Sequence, residues 1–321
     1  MNLPRPQSRF TNARIVRILG FIAFLYISIC VYFWATQVPK ILAPLAEIPT
    51  DPGRMDMDYD QVKIPLRDGG DKVIGQLDAY WVPVESPEAP VILYLHGQDA
   101  TIGKNLEHTE RFHQFGWNVL VIDYRGFGKS FGDEQPSEAK MYEDALAALK
   151  YLKSKFASKR IFIYGHSLGG AVAIELANKP DSSDAAGVIV ESTFTSILDM
   201  STLRYGGLLR VLPVSLLLTE RFDSLSKIGS VTLPILFIHG DRDAKVPCEM
   251  TEVLYAAARY PYPKCIIKGA GHENCGSIGK VQYRKHLGEF VATCLNKAKL
   301  SDARGVAEDA VTNGSSSPAF R

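Results

Sequence analysis

Short apolar runs alternate with helix-patterned polar stretches along most of this chain. Val91 to Leu95, Val119 to Asp123, Arg160 to Tyr164, Gly187 to Glu191, Ile235 to His239 and Lys264 to Ile267 are brief and rich in β-branched and aromatic residues. Each predicts a strand. Gln61 to Pro65 and Val73 to Val82 lie close together ahead of them and predict an antiparallel start. Helical patterns fall at Lys104 to Phe115, Ser137 to Lys155, Leu168 to Asn178, Cys248 to Ala258 and Val281 to Leu295. Strands that are apolar on both faces and alternate with helices predict an α/β fold: a mostly parallel, eight-stranded sheet flanked by helices. The interval 194–231 is too long for a simple connection. With its run Leu208 to Leu218, it predicts a small helical cap over the carboxyl ends of the strands.

The N-terminus follows a different pattern. No charge occurs between Ile18 and Pro39, a length that crosses a bilayer core as a helix of about 20 residues. Arg5, Arg9, Arg14 and Arg17 precede it, and Lys40, Glu47 and Asp51 follow. The positive-inside bias therefore predicts a cytoplasmic segment 1–17 and one transmembrane anchor over 18–38. The remainder is then expected on the non-cytoplasmic side. Five residues in the next stretch (Pro39, Pro44, Pro49, Pro52, Gly53) mark 39–58 as a stiff linker. A globular domain is expected over 59–297 and a disordered tail over 298–321. Charge changes little: 36 basic residues against 35 acidic ones, net +1, with no basic stripe, point away from nucleic acid. Oligomeric state is not legible. Cys248, Cys265, Cys275 and Cys294 allow three disulfide pairings, or none if they are buried thiols. No C-x-x-C spacing suggests zinc.

Candidate chemistry centres on Gly165-His166-Ser167-Leu168-Gly169, a G-x-S-x-G pattern between a predicted strand and a predicted helix. Such a turn pushes the serine hydroxyl out of the sheet edge. It also places the Leu168 N–H at a helix N-terminus, where it can stabilise an oxyanion. A serine needs a base and the base an orienting acid, in the chain order Ser, Asp or Glu, His. Asp243, in the turn after Ile235 to His239, is the expected acid; Asp241 and Glu191 are reserves. His272, behind two loop glycines, is the expected base. Of the other histidines, His108 and His113 are expected to face solvent from the helix after the third strand. A second oxyanion donor is expected from the Gln98 backbone N–H, in the loop after that strand. Asp123 to Ser130 reads as scaffold, with Arg125 and Asp123 fixing neighbouring turns.

Taken together, His96-Gly97, Asp123 to Ser130, Gly165 to Gly170, Glu191 to Phe194, His239-Gly240 to Val246-Pro247 and Gly271-His272 resemble the α/β-hydrolase superfamily. More closely, they resemble its membrane-anchored bud-emergence and abhydrolase-domain group and related bacterial hydrolases. The resemblance spans about Gln61 to Leu295 and implies catalytic Ser167, Asp243 and His272. It departs at Gln98-Asp99, where the group often carries Asn and small residues. The expected activity is cleavage of a carboxylic ester or thioester with a lipid-like acyl group, without cofactor or metal. The expected partners are that substrate and the membrane. An acyltransferase using the same residues and a non-catalytic anchored scaffold are the alternatives.

Overall fold

The computed structural model describes residues 8–313 apart from 71, 105, 133 and 207–211, with side chains from 13 to 298. A long helix, α1 (Ser8–Leu42), is followed by strands β1 (Asp60–Arg67), β2 (Val73–Val82) and β3 (Val91–Leu95). Helix α2 (Leu106–Gln114), β4 (Asn118–Ile122), β5 (Phe131–Gly132), α3 (Glu138–Lys153), β6 (Ile161–His166), α4 (Leu168–Ala177) and β7 (Gly187–Glu191) come next. Three short helices follow: α5 (Ile197–Tyr205), α6 (Val214–Leu217) and α7 (Ser224–Ile228). The chain closes with β8 (Ile235–Gly240), α8 (Glu249–Ala257), β9 (Cys265–Ile267), α9 (Cys275–Ile278) and α10 (Lys280–Asn313).

Eight strands pair in the order β1-β2-β4-β3-β6-β7-β8-β9, and the two-residue β5 adds to β2. β1 and β2 are antiparallel to each other, and β2 is antiparallel to β4. From β4 onward every pairing along the path is parallel. Every residue of β3, β4, β6, β7 and β8 is buried. Two apolar layers cover the sheet: Leu149, Val172 and Phe237 belong to one, and Phe112, Phe162 and Phe290 to the other. Each large apolar side chain buried in this way contributes roughly 1.5–3 kcal/mol. Strand order reverses at β3, which lies between β4 and β6. In an open parallel sheet the crevice at such a reversal is where ligands bind.

The insert after β7 divides. α5 and α6 line the cavity above the strand ends, whereas Phe222, Ser224, Ile228 and Val231 are buried in the body. The expected cap over 194–231 therefore narrows to its first two helices; 207–211, part of its leucine-rich run, lies outside the described residues. Glu138 at the start of α3 fastens the return of the insert, accepting from the backbone N–H groups of Arg221 (2.5 Å) and Phe222 (2.9 Å).

The ends also differ from expectation. α1 continues through Pro39 to Leu42, so the linker begins later than residue 39. Leu42 is fully buried against the domain, which holds the last turn despite the hydrogen bond that proline removes. The linker lies on the domain surface: Leu45 O accepts from Gly128 N (2.7 Å) and Glu47 O from Thr101 Oγ1 (3.2 Å). At the other end α10 runs to Asn313 where disorder is expected from 298 onward. Ala303, Arg304, Ala307, Glu308 and Ala310 are good helix formers, and the stretch 301–313 holds Gly305 but no proline. The last residues, 314–321, lie outside the described part.

Candidate active site

Ser167 occupies the turn between β6 and α4 with φ 54° and ψ −119°, a backbone state that L-residues rarely adopt. The turn is so tight that a Cβ on Gly165 would run into the Gly169 carbonyl. Ser167 N donates to Glu191 O (2.9 Å), fixing the elbow to β7. The serine side chain therefore stands at the carboxyl end of β6, with Leu168 as the first residue of α4.

Asp243 and His272 arrive from two other loops. His272 Nε2 lies 2.9 Å from Ser167 Oγ, and His272 Nδ1 lies 2.7 Å from Asp243 Oδ2. Both the serine and the histidine are buried. Asp243 is fixed from its other side as well, since Oδ1 accepts from the backbone N–H groups of Lys245 (2.8 Å) and Val246 (2.9 Å). Burial opposes its charge. Contacts with His239, 3.1 Å away, and His272, together with the Val246 N–H, outweigh burial and hold the carboxyl far below the usual carboxylate range. An ionised Asp243 facing Nδ1 selects the tautomer in which Nε2 is free to accept the serine proton.

The two reserve acids do other work. Asp241 is exposed and accepts from Gly269 N (2.6 Å), bracing the loop after β9. Glu191 is buried behind the elbow, where Tyr164 and Tyr283 hydroxyls donate to it at 2.9 and 2.6 Å. Burial works against its charge, but His108, then His166 and the Tyr283 hydroxyl, more than compensate, so its carboxyl is held well below normal.

The loop after β3 passes directly over the elbow. A Cβ on Gly97 would sit 3.1 Å from Ser167 Cβ, tighter than ordinary contact, so a larger residue here would crowd the serine. Gln98 and Leu168 both line the cavity that contains Ser167. Behind the loop, the fully buried His96 ring stands 3.3 Å from Asp123 Oδ1, which also accepts from Ile102 N (2.7 Å). Burial pushes the Asp123 carboxyl up. Arg125 turns away and forms a buried pair with Asp144.

Two histidines differ from or escape the sequence reading. His108, expected in solvent, is only 3 % exposed, with its ring 5.0 Å from that of His166. The face of α2 that carries it packs on the sheet. His166, the unassigned middle position of the motif, donates from Nε2 to the carbonyl of His272 (3.0 Å). Burial first, then His108 and His272, lower its pKa to about 4, so it is neutral at pH 7. His166, His272 and Glu273 bring ligand atoms within 4.8 Å of one another. Both imidazoles are already committed to hydrogen bonds, so this set does not form an open metal site.

All five cysteines are free thiols, and burial raises those of Cys265 to about 12 and Cys294 to about 11.

Comparison with known proteins gives the family of this fold. The model of the serine aminopeptidase S33 family, Hydrolase_4, matches residues 86–222. The chain is 37% identical over 232 residues to protein bem46 of Schizosaccharomyces pombe, covering 68% of this chain and 73% of that one. It belongs to the Bem46-like α/β-hydrolases. This α/β-hydrolase is also 28% identical over 297 residues to YfhR of Escherichia coli K12, covering 89% and 97% of the two chains. It is 32% identical over 202 residues to the lysophosphatidylserine lipase ABHD12 of Danio rerio, covering 56% of this chain and 50% of that one. Among solved structures, the Pyrococcus furiosus esterase Pf2001 superposes with a TM-score of 0.62 at 23% identity, covering 78% and 99%. The fold of this Bem46-like hydrolase is thus shared with esterases, and its family is one of serine hydrolases.

Proposed function

We propose that the protein cleaves a carboxylic ester or thioester carrying an acyl chain, with Ser167 as nucleophile, His272 as base and Asp243 as orienting acid. The observation that carries this reading is the unbroken line of hydrogen bonds Ser167–His272–Asp243 at a strained elbow. His272 takes the Ser167 proton as Oγ attacks the carbonyl carbon. Leu168 and Gln98 N–H groups receive the oxyanion, each donor worth roughly 3–4 kcal/mol when preorganised. Collapse of the tetrahedral intermediate breaks the bond to the leaving oxygen or sulfur, which takes the proton from His272. Water, deprotonated by the same imidazole, then releases the acid and restores Ser167.

An acyl substrate is favoured by the cavity, about 1180 Å³, whose walls include Phe194, Ile197, Leu217 and Leu218. The name of the zebrafish relative points the same way. α1 carries an apolar stretch, Ala13–Leu42, long enough to cross a bilayer. The reading makes this a single-pass anchor, its N-terminus cytoplasmic and the hydrolase domain on the other side.

The test is a panel of acyl glycerols, lysophospholipids, acyl thioesters, short soluble esters and peptides, with an added alcohol as acyl acceptor. Release of free fatty acid from the long-chain members supports the reading. Turnover of short esters or peptides alone removes the acyl-lipid part, and acyl transfer to the alcohol in place of water makes the protein an acyltransferase.

A further inference from the structure

One cavity wall comes from an unexpected source. Besides Ser167 and His272, the cavity is lined by Phe33, Gln37, Lys40 and Ile41 of α1. Phe33, Gln37 and Ile41 follow helical spacing and are buried or half-buried, whereas Val31 and Trp34 are 54% and 56% exposed. The anchor thus presents one stripe to the hydrolase domain and the rest to its surroundings.

Gln37 fixes that stripe in place. Its Nε2 donates to Leu217 O (2.9 Å), a carbonyl at the end of α6, and its Oε1 accepts from Thr219 N (2.8 Å). Both backbone groups are left over where the short α6 stops, so a buried amide on an apolar helix supplies their partners. The cap and anchor are joined side by side, with the cavity between them. In the cap, Leu203 and Tyr205 line the cavity and remain 61% and 46% exposed, and Leu216 of α6 is 83% exposed.

Depth follows from helix geometry. Lys40 is the first charge after the apolar stretch, with its ammonium 4.6 Å from the Tyr32 ring centre, an arrangement that suits the membrane–water interface. Phe33 precedes it by seven positions, which at the helix rise is about 10 Å further into the bilayer. That is where acyl chains begin beneath the headgroups.

We infer that the exit end of α1 is part of the substrate site: the acyl chain lies against Phe33 and Ile41 and reaches Ser167 from the bilayer, through the apolar seam between α1 and the cap. Gln37 is the positioning residue that keeps the seam aligned. This rests on the hydrolase reading above, and the two can fail separately.

The experiment uses the full chain in phosphatidylcholine vesicles and a fluorophosphonate whose long alkyl tail ends in a diazirine. After reaction and irradiation, peptide mass spectrometry locates both ends of the probe. The expected result is phosphonate on Ser167 and photo-adducts within 30–41, 197–205 and 212–218. Phosphonate on Ser167 with adducts confined elsewhere, such as on α2, overturns the inference and leaves the hydrolase reading intact. No reaction at Ser167 overturns both.

Kinetics supply a second readout. Phe33→Trp, which fills the wall, is expected to lower kcat/KM for a long-chain ester in the vesicles about tenfold more than for a water-soluble butyrate ester. Val31→Trp, on the outward face of the same helix, is expected to leave both close to wild type. An equal fall in both substrates for Phe33→Trp, or no fall in either, contradicts the seam.

Discussion

Ser167 at φ 54° carries strain on the order of 1–3 kcal/mol, and its surroundings must hold it there. Gly165→Ala puts a methyl into the Gly169 carbonyl and is expected to destabilise the fold by about 3 kcal/mol while lowering hydrolysis, as read by chemical denaturation and ester assay. His166 offers a pH test. Its folded pKa is about 4 against an ordinary 6.5, so the unfolded chain binds the extra proton between those values. Its stabilising contribution is therefore complete above pH 6.5 and is lost as pH falls towards 4. The thermal midpoint is expected to drop across that window, and His166→Gln, which keeps a donor for the His272 carbonyl, is expected to flatten the drop. Ser167, Asp243 and His272 could be placed from sequence because a hydrolase elbow and chain order leave few choices. His166 and His108 could not. Their roles depend on ring contacts across α2, β6 and the His272 loop, which no local pattern encodes.

Elements were legible in proportion to how far their own residues determine them. The buried parallel strands announce themselves as apolar β-branched runs, and their observed bounds fall within a residue or two of expectation. β5, at two residues, has no periodicity to read and exists only because Phe131 meets Gln76 of β2. α1 outlasts Pro39 because tertiary burial of Leu42 and the clasp by Gln37 hold its last turn. At this scale Arg125 and Asp144 join the β4 loop to α3. The guanidinium donates from Nε (2.8 Å) and Nη2 (2.6 Å) to Asp144 Oδ1, and Arg125 N donates to Oδ2 (2.8 Å). Asp144→Ala leaves that buried guanidinium without its main partner and is expected to cost about 3–5 kcal/mol, read from the denaturation midpoint. Asp144→Asn, which can still accept, is expected to cost less.

On the scale of the molecule, the proposed function makes the sheet, the cap and α1 one catalytic unit. The sheet reversal at β3 supplies the crevice, and the elbow places Ser167, the proposed nucleophile, in it. The insert after β7 and the end of α1 supply the walls. Composition marked α1 as an apolar helix long enough to cross a bilayer, and topology marked the crevice. That they share a cavity was not readable, because Gln37 and Leu217, which join α1 to the cap, lie 180 positions apart in the chain. The proposed orientation predicts that, in sealed microsomes, a C-terminal tag survives added protease while an N-terminal tag is cleaved. The reverse pattern puts the hydrolase domain in the cytoplasm.

Every step of the proposed hydrolysis requires that Ser167 be a nucleophile activated by His272. Covalent capture by a simple fluorophosphonate, timed and mapped by mass spectrometry, measures this. Wild-type protein is expected to take up the phosphonate at Ser167 alone. Ser167→Ala should take up none, and His272→Ala should react more slowly by at least about 10³-fold. Undiminished labelling of Ser167→Ala, or a wild-type chain that stays unmodified while correctly folded, contradicts it.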